Sequence, residues 1–248
     1  MAAHWIADAF AYTGTVFTFL YFLSPVTTCK RVMDSKDVRE FSAFPFAMGI
    51  FNCSIWVYYY AVTMASSAAD LTPNLLINAV GLFMFIIYMF IFLFYAGSRF
   101  KEIARLLAIT LFVEAIFIAF FEGVVPGLKW DFNFGKEPQP LKSSLSGLVC
   151  VIINVLLYGS PLAVMRMVIE TKSVEFMPLP MSLLTFVICC LWSGQALLIQ
   201  NPAVFIPNFL GILMGIAQLV LYACYCKTPQ SRGCDSSRDV MLASTASA

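Results

Sequence analysis

The chain has 248 residues, 60% of them hydrophobic and only 12% charged, with a net charge of +1 and a mean hydropathy of +0.84. A soluble domain of this length has no interior large enough to hide so much apolar surface, so the composition excludes an ordinary soluble fold and points to lipid as the solvent. The near-neutral charge gives no electrostatic reason to expect nucleic acid or an acidic partner.

Crossing a hydrocarbon core of about 30 Å takes roughly 20 apolar residues in a helix. Stretches of that kind occur near residues 6–28, 42–64, 72–96, 103–123, 145–167, 177–199 and 203–226. The sequence therefore predicts an all-α integral membrane protein with seven transmembrane helices. The first stretch lacks a basic leader and a small-residue cleavage site, and reads as a retained helix rather than a signal peptide. Gln200-Asn201-Pro202 alone separates the last two, which suffices for antiparallel neighbours. A Gly-, Pro- and Lys-rich loop at about residues 123–143 marks a junction. The tail at 227–248, with its Ser, Thr and Ala run, is expected to be disordered.

Cationic residues bias short loops toward the cytoplasm. Lys30, Arg31, Lys36 and Arg39 follow the first helix, Arg99, Lys101 and Arg105 the third, Arg166 and Lys172 the fifth, and Lys227, Arg232 and Arg238 the seventh. The opposite loops hold Lys129, Lys136 and Lys142. This places the N-terminus outside the cytoplasm and the C-terminus inside it.

Cys53, Cys150, Cys189, Cys190 and Cys224 lie in apolar spans without metal-ligand spacing and read as small core hydrophobes. Cys29 and Cys226 fall at the cytoplasmic border, where palmitoylation is an option. His4 is the sole histidine. It supplies neither a nucleophile–base pair nor a metal cluster, so no enzyme, cofactor or metal is expected.

Internal repetition organises the rest. Phe22-Leu23-Ser24-Pro25 has a counterpart in Tyr158-Gly159-Ser160-Pro161; Arg39-Glu40-Phe41 in Val174-Glu175-Phe176; Pro45 in Pro178; Trp56 in Trp192; and Asn78 with Gly81 in Asn208 with Gly211. Three helices per half would invert the second half unless one helix intervened. The stretch at 103–123 is that helix, so the layout is two parallel three-helix bundles joined by a linker helix, 3+1+3. The divisions expected are 1–98 for the first repeat, 99–143 for the linker helix and outer loop, 144–226 for the second repeat and 227–248 for the tail. Parallel repeats related by an axis along the membrane normal place a shared site on that axis.

The chain resembles the SWEET sugar transporters of the MtN3/saliva, PQ-loop type, plant members most of all. The stretches that carry the likeness are Phe22-Leu23-Ser24-Pro25-Val26-Thr27-Thr28, Ser160-Pro161-Leu162-Ala163-Val164-Met165-Arg166, Thr171-Lys172-Ser173-Val174-Glu175-Phe176-Met177-Pro178, and Pro207-Asn208 leading to Gln218-Leu219-Val220-Leu221-Tyr222. The resemblance implies facilitated diffusion of a sugar by alternating access. Asn78 and Asn208 would hydrogen-bond sugar hydroxyls, Trp56 and Trp192 would line the pocket, and Pro25, Pro45, Pro161 and Pro178 would be hinges near the cytoplasmic side. Tyr21, Asn52, Leu157 and Ile188 would flank the amides; they are mostly large, and Asn52 is what glucose-type relatives tend to carry. A monosaccharide such as glucose is the expected cargo, with sucrose the alternative within the family. Members also associate as homo-oligomers through lipid-facing helices, on the plasma or the vacuolar membrane.

Residue chemistry supports these roles less specifically. A sugar offers hydroxyl edges and apolar C–H faces, which suit amides and aromatic platforms. Membrane asparagines also serve as interhelical glue, tryptophans as interfacial anchors and prolines as simple kinks. Proton-coupled carriers place ionisable residues along the pathway, whereas the intramembrane candidates here are Glu114, in the linker helix, and Asp8, near the outer end of helix 1. That favours uniport. The chain departs from the family at an expected outer gate. Asn201 stands where many relatives have an acid facing the counterpart of Tyr59, and Tyr60 and Ala196 occupy positions where glycine would favour close approach. These departures keep open a transport-impaired sensor or scaffold with the same fold. A seven-helix receptor shares the topology but not the repeat, and the third helix ends in Phe94-Tyr95-Ala96-Gly97-Ser98-Arg99 without an Asp-Arg-Tyr switch.

Overall fold

The structure, a computed structural model, describes residues 2–39, 41–66, 70–128 and 140–226, with the side chains of 2–4 left out. Among the described residues the regular elements are all helical: α1 (Ala2–Leu23), α2 (Val26–Ser35), α3 (Phe44–Ser66), α4 (Thr72–Phe94), α5 (Phe100–Ala119), α6 (Leu141–Leu157), α7 (Gly159–Thr171), α8 (Leu179–Leu198) and α9 (Pro202–Tyr225). Beyond α5 the chain runs through a π-helical turn, Phe120–Val124, and a 3-10 turn, Val125–Gly127. The expected tail at 227–248, with Lys227, Arg232 and Arg238, and the loop lysines Lys129 and Lys136 lie outside the described residues.

Two of the expected long helices are broken. Pro25 has no N–H to donate to a preceding carbonyl, so α1 stops at Leu23, and α2 restarts as the Pro25 carbonyl accepts from the Cys29 amide at 2.9 Å. In the second half, Tyr158 ends α6 and opens α7. Both short helices end in a lysine in the left-handed region, Lys36 at φ 52° and Lys172 at φ 54°.

Packing follows the 3+1+3 plan. In the first bundle α4 lies against α1 and α3; in the second α9 lies against α6 and α8. The bundles meet where α1 packs on α8 and α3 on α6, while α5 packs on α3 and α4.

Six helical stretches are long and apolar enough to cross a membrane by length and composition: Trp5–Ser35, Thr72–Phe94, Gly97–Gly127, Leu141–Thr171, Leu179–Leu198 and Pro202–Tyr225. The seventh helix, α3, falls short because Asn52, Trp56 and Tyr58 to Tyr60 lower its hydropathy. Its surroundings explain why it tolerates them. Packed between α4, α5 and α6, it buries Phe46, Ile50, Ile55, Trp56, Tyr59 and Tyr60 against protein rather than lipid. The outer faces of α4 and α5 show the reverse, with Phe83, Phe90, Phe112 and, at 81%, Phe94 exposed. In water these would be an aggregation hazard; in a bilayer they are the lipid contact.

Cys29, Cys53, Cys150 and Cys189 are buried and free. Cys29 is 2% exposed, which shields it from lipidation, whereas Cys226 is partly exposed.

Glycine sets how closely α3 and α4 approach. A Cβ on Gly49 would sit 2.6 Å from the base of the Phe85 ring, a contact that only a shift of the ring's helix could relieve. Gly49→Leu is expected to destabilise the protein by about 1–3 kcal/mol through overpacking, read as a lower apparent Tm in detergent. Gly159→Ala, where an added Cβ meets nothing within 4 Å, should leave the Tm unchanged.

Candidate functional site

Between the bundles lies a cavity of about 230 Å³. Tyr21, Asn52, Trp56, Asn78, Ile188, Trp192 and Asn208 all line it. Leu157 is the exception among the expected cavity residues: it ends α6 and is not part of the lining.

The two central amides are held alike. Asn78 Nδ2 donates to the Asn74 carbonyl at 2.8 Å and Asn208 Nδ2 to the Val204 carbonyl at 2.8 Å, each one turn back on its own helix. One N–H orients the side chain, and the second N–H and Oδ1 stay available to a ligand. Trp56 stacks on Tyr60, with ring centroids 5.4 Å apart and planes 23° apart. Trp192 donates its Nε1–H to Thr18 Oγ1 at 3.0 Å. Asn154 Nδ2 donates to Asn52 Oδ1 at 3.2 Å and to the Cys150 carbonyl at 2.9 Å.

Sequence reasoning did not single out Thr18, Asn154 or Thr185 for the cavity, and it weighed Tyr60 only as a missing glycine. Thr18 and Asn154 share the spacing of Pro25 and Pro161. Two polar residues at repeat-matched positions of apolar helices were the available signal. Tyr60, 4% exposed, fills space beside Trp56, and Ala196 is buried as well.

One end of the cavity is sealed by polar bonds from half to half. Tyr59 donates its hydroxyl to Asn201 Oδ1 at 3.0 Å, fully buried. Asn74 and Gln195 exchange two amide bonds, each 2.9 Å. Thr63 and Ser143 share a hydroxyl bond of 2.7 Å. The position of Asn201 is set locally. Gln200 takes φ 55°, the Asn201 amide bonds the Ala196 carbonyl at 2.9 Å and the Gln200 amide the Leu197 carbonyl at 3.3 Å, a Schellman ending for α8. Asn201 then caps α9, accepting from the Val204 amide at 3.3 Å, and Pro202 fills the first helical position.

At the other end stand the four expected hinge prolines. Pro25 lies at the α1–α2 break and Pro161 in the first turn of α7, both half-buried. Pro45 is the second residue of α3 and Pro178 caps α8, both exposed. Pro45 and Pro180 are each the second residue of their helix, α3 and α8. Here Tyr88 donates to the Phe22 carbonyl at 2.9 Å and Tyr158 to the Pro207 carbonyl, each within its own half. A second cavity of about 400 Å³ opens on this side, sharing Tyr21 and Thr185 with the first and reaching Pro161 and Pro178.

The acidic residues stand apart. Glu114 accepts from Ser54 Oγ at 2.8 Å, between the linker helix and α3, and Asp8 is exposed on α1.

Comparison with known proteins agrees with this geometry. Residues 8–99 and 144–230 match the family model described as sugar efflux transporter for intercellular exchange. The chain is 35% identical over 216 residues to the bidirectional sugar transporter SWEET7b of Oryza sativa subsp. japonica, covering 87% of this chain and 76% of that protein. It is 36% identical over 215 residues to SWEET7 of Arabidopsis thaliana, with 87% and 79% covered, and 34% identical over 230 residues to SWEET2b of Oryza sativa subsp. indica, with 93% and 94% covered. A 3.7 Å structure of a eukaryotic SWEET transporter superposes with a TM-score of 0.79 at 29% identity, covering 92% of this chain and 100% of that one. With its 3+1+3 helices, its two matching halves and a cavity of paired amides and tryptophans between them, the chain belongs to the SWEET family of sugar transporters.

Proposed function

We propose that this multi-pass sugar transporter is a uniporter that carries a monosaccharide such as glucose down its gradient by alternating access. The observation that carries the reading is the pair Asn78 and Asn208, each oriented by one bond to its own helix and offering its remaining donor and acceptor to the same cavity. Trp56 and Trp192 give the sugar's C–H faces aromatic surfaces.

Size supports a small cargo. At about 230 Å³ the central cavity by itself falls below the roughly 300–1,000 Å³ of pockets that take drug-sized ligands, and Tyr21, Asn52 and Ile188 are among the side chains that narrow it. Uniport is supported by the lining: among the described residues around this cavity none is Asp, Glu, Lys, Arg or His. The basic residues favour an orientation in which the end sealed by Tyr59 and Asn201 faces away from the cytoplasm and the proline-bearing end faces it. Repeats at 1–98 and 144–226, with 99–143 as the linker, would then rock about the prolines.

Uptake of labelled glucose and sucrose into liposomes holding the purified protein, with and without a pH gradient, tests this. Glucose flux is expected to saturate, to exceed sucrose flux and to ignore the gradient. The Asn78→Ala, Asn208→Ala double variant should lose at least about tenfold, since each removed hydrogen bond is worth on the order of 0.5–1.5 kcal/mol. Flux that tracks the pH gradient would refute uniport, and a wild type that binds sugar without moving it would indicate a sensor.

The seal gives a second test. Tyr59→Phe leaves Asn201 Oδ1 with its cap bond alone, so a cysteine at Val204→Cys should react about 2- to 10-fold faster with an impermeant thiol reagent applied from the sealed face. Asn201→Asp, which restores a charge-assisted acceptor, should slow the same reaction. Equal rates in all three proteins would show that the bond does not hold the gate.

A further inference from the structure

The two halves match closely around their glycines. A Cβ on Gly81 would run into Phe22 and Cys53, and one on Gly211 into Tyr158 and Cys189, which are the residues the repeat pairs. Toward the proline-bearing end the match fails. The spacing of Pro25 and Pro161 pairs Phe22 with Tyr158; that of Trp56 and Trp192 pairs Phe46 with Ser182; that of Asn78 and Asn208 pairs Phe85 with Gly215 and Tyr88 with Gln218.

In the first half the four positions form an aromatic plug. Phe22 meets Phe85 edge-on at 5.4 Å, Phe85 meets Tyr88 at 6.2 Å and Phe46 meets Tyr88 at 5.8 Å, and all four are buried. In the second half the same positions carry a phenol, a serine, a glycine and a glutamine; Phe186 packs where a side chain on Gly215 would lie, and beside Ser182 and Gln218 a cavity of about 400 Å³ stays open. Gln218 lies half-buried on its wall, and among the described residues neither its amide nor the Ser182 hydroxyl has a side-chain hydrogen-bond partner. An amide carried to membrane depth without a partner is costly unless water or a ligand reaches it.

We propose that this chamber is a second sugar subsite, walled by the second half apart from Tyr21 and placed between the central cavity and the proline-bearing end. Gln218 and Ser182 hydrogen-bond the sugar's hydroxyls, and Met181, Met214 and Phe176 meet its C–H faces. A sugar passes between the two subsites by way of Tyr21 and Thr185, which border both cavities. Passage is therefore one-sided, because the aromatic plug closes the equivalent route through the first half. The proposal rests on the sugar-transport reading above and extends it to a second position on the path.

Equilibrium dialysis of labelled glucose against purified protein in nanodiscs, run beside a tryptophan fluorescence titration that reports on the central cavity through Trp56 and Trp192, separates the two ideas. Wild type should bind about two sugars per chain. Gln218→Leu, and Gln218→Tyr, which installs the side chain found at the matching position 88, should bind about one with the fluorescence titration intact. The Asn78→Ala, Asn208→Ala variant should also bind about one, with the fluorescence response lost. A thermal melt equal to wild type qualifies each variant. One sugar per wild-type chain, or Gln218 variants that titrate like wild type, would overturn the second subsite and leave the central one standing. No saturable binding in wild type would overturn both.

Discussion

Hydrocarbon offers no partner to a buried amide or hydroxyl, so each polar group that this chain carries into the membrane must be met by another group, by water or by cargo. The structure depends on how those partners are shared out. Asn74 with Gln195, Tyr59 with Asn201 and Thr63 with Ser143 are met from half to half at one end. At membrane depth a bond of this kind contributes on the order of 0.6 kcal/mol, at most about 1.7. Together the four contribute roughly 2–4 kcal/mol to the closed end, little enough that the alternating access proposed above would not have to break a large barrier of polar contacts. Replacing the bonds with apolar packing would remove the polar groups that a sugar path needs in the same helices.

Much of this could be read from the repeat, because function here requires two matched surfaces and matched surfaces leave matched letters. Asn78 with Asn208 and Trp56 with Trp192 stand out as polar or bulky residues in otherwise apolar helices, and all four do face one cavity. Tyr59 and Asn201 are expected to face each other from the family resemblance and not from the repeat, and the Schellman turn that aims Asn201 is not legible in either. Leu157 is expected from the family resemblance and has the spacing to Pro161 that Tyr21 has to Pro25, yet it is not part of the lining, and α6 ends there. Asn74 and Gln195 escaped notice because their pairing joins different turns of the repeat: Gln195 matches Tyr59, while Asn74 lies one turn beyond the position that matches Asn201. The helix break at Tyr158 lies beyond pattern reasoning too, since no proline stands at the break itself.

Hydropathy misleads most at the element that matters most. α3 is the least lipid-like of the seven spans and it carries Asn52, Trp56, Tyr59 and Tyr60. A helix enclosed by three others is free to be polar on the side that meets the cavity. The lipid-facing α5, which contributes nothing to the cavity, is by contrast among the most hydrophobic.

The linker helix breaks the symmetry that the repeat sets up. α5 packs on α3 and α4, Glu114 ties it to Ser54, and Glu122 in its π-helical turn accepts from the Tyr58 hydroxyl at 2.8 Å. Its side-chain tie to the second half is the Lys142–Glu122 ion pair, 2.6 Å long with Glu122 half exposed, and a pair in that setting contributes about 0–1 kcal/mol. Bonds on the first-half side are more numerous, and one of them, Ser54 to Glu114, is better shielded, so α5 belongs mechanically with α1, α3 and α4. Under the alternating access proposed above, the moving parts would be a unit of four helices and a unit of three. Where the two slide past each other, the contacts that must change are α1 on α8 and α3 on α6, the same two that bring Thr18 to Trp192 and Asn52 to Asn154. The bonds that shape the cavity are thus also the bonds that any relative motion of the halves has to remake, which couples the state of the cavity to the state of the seal without a separate relay.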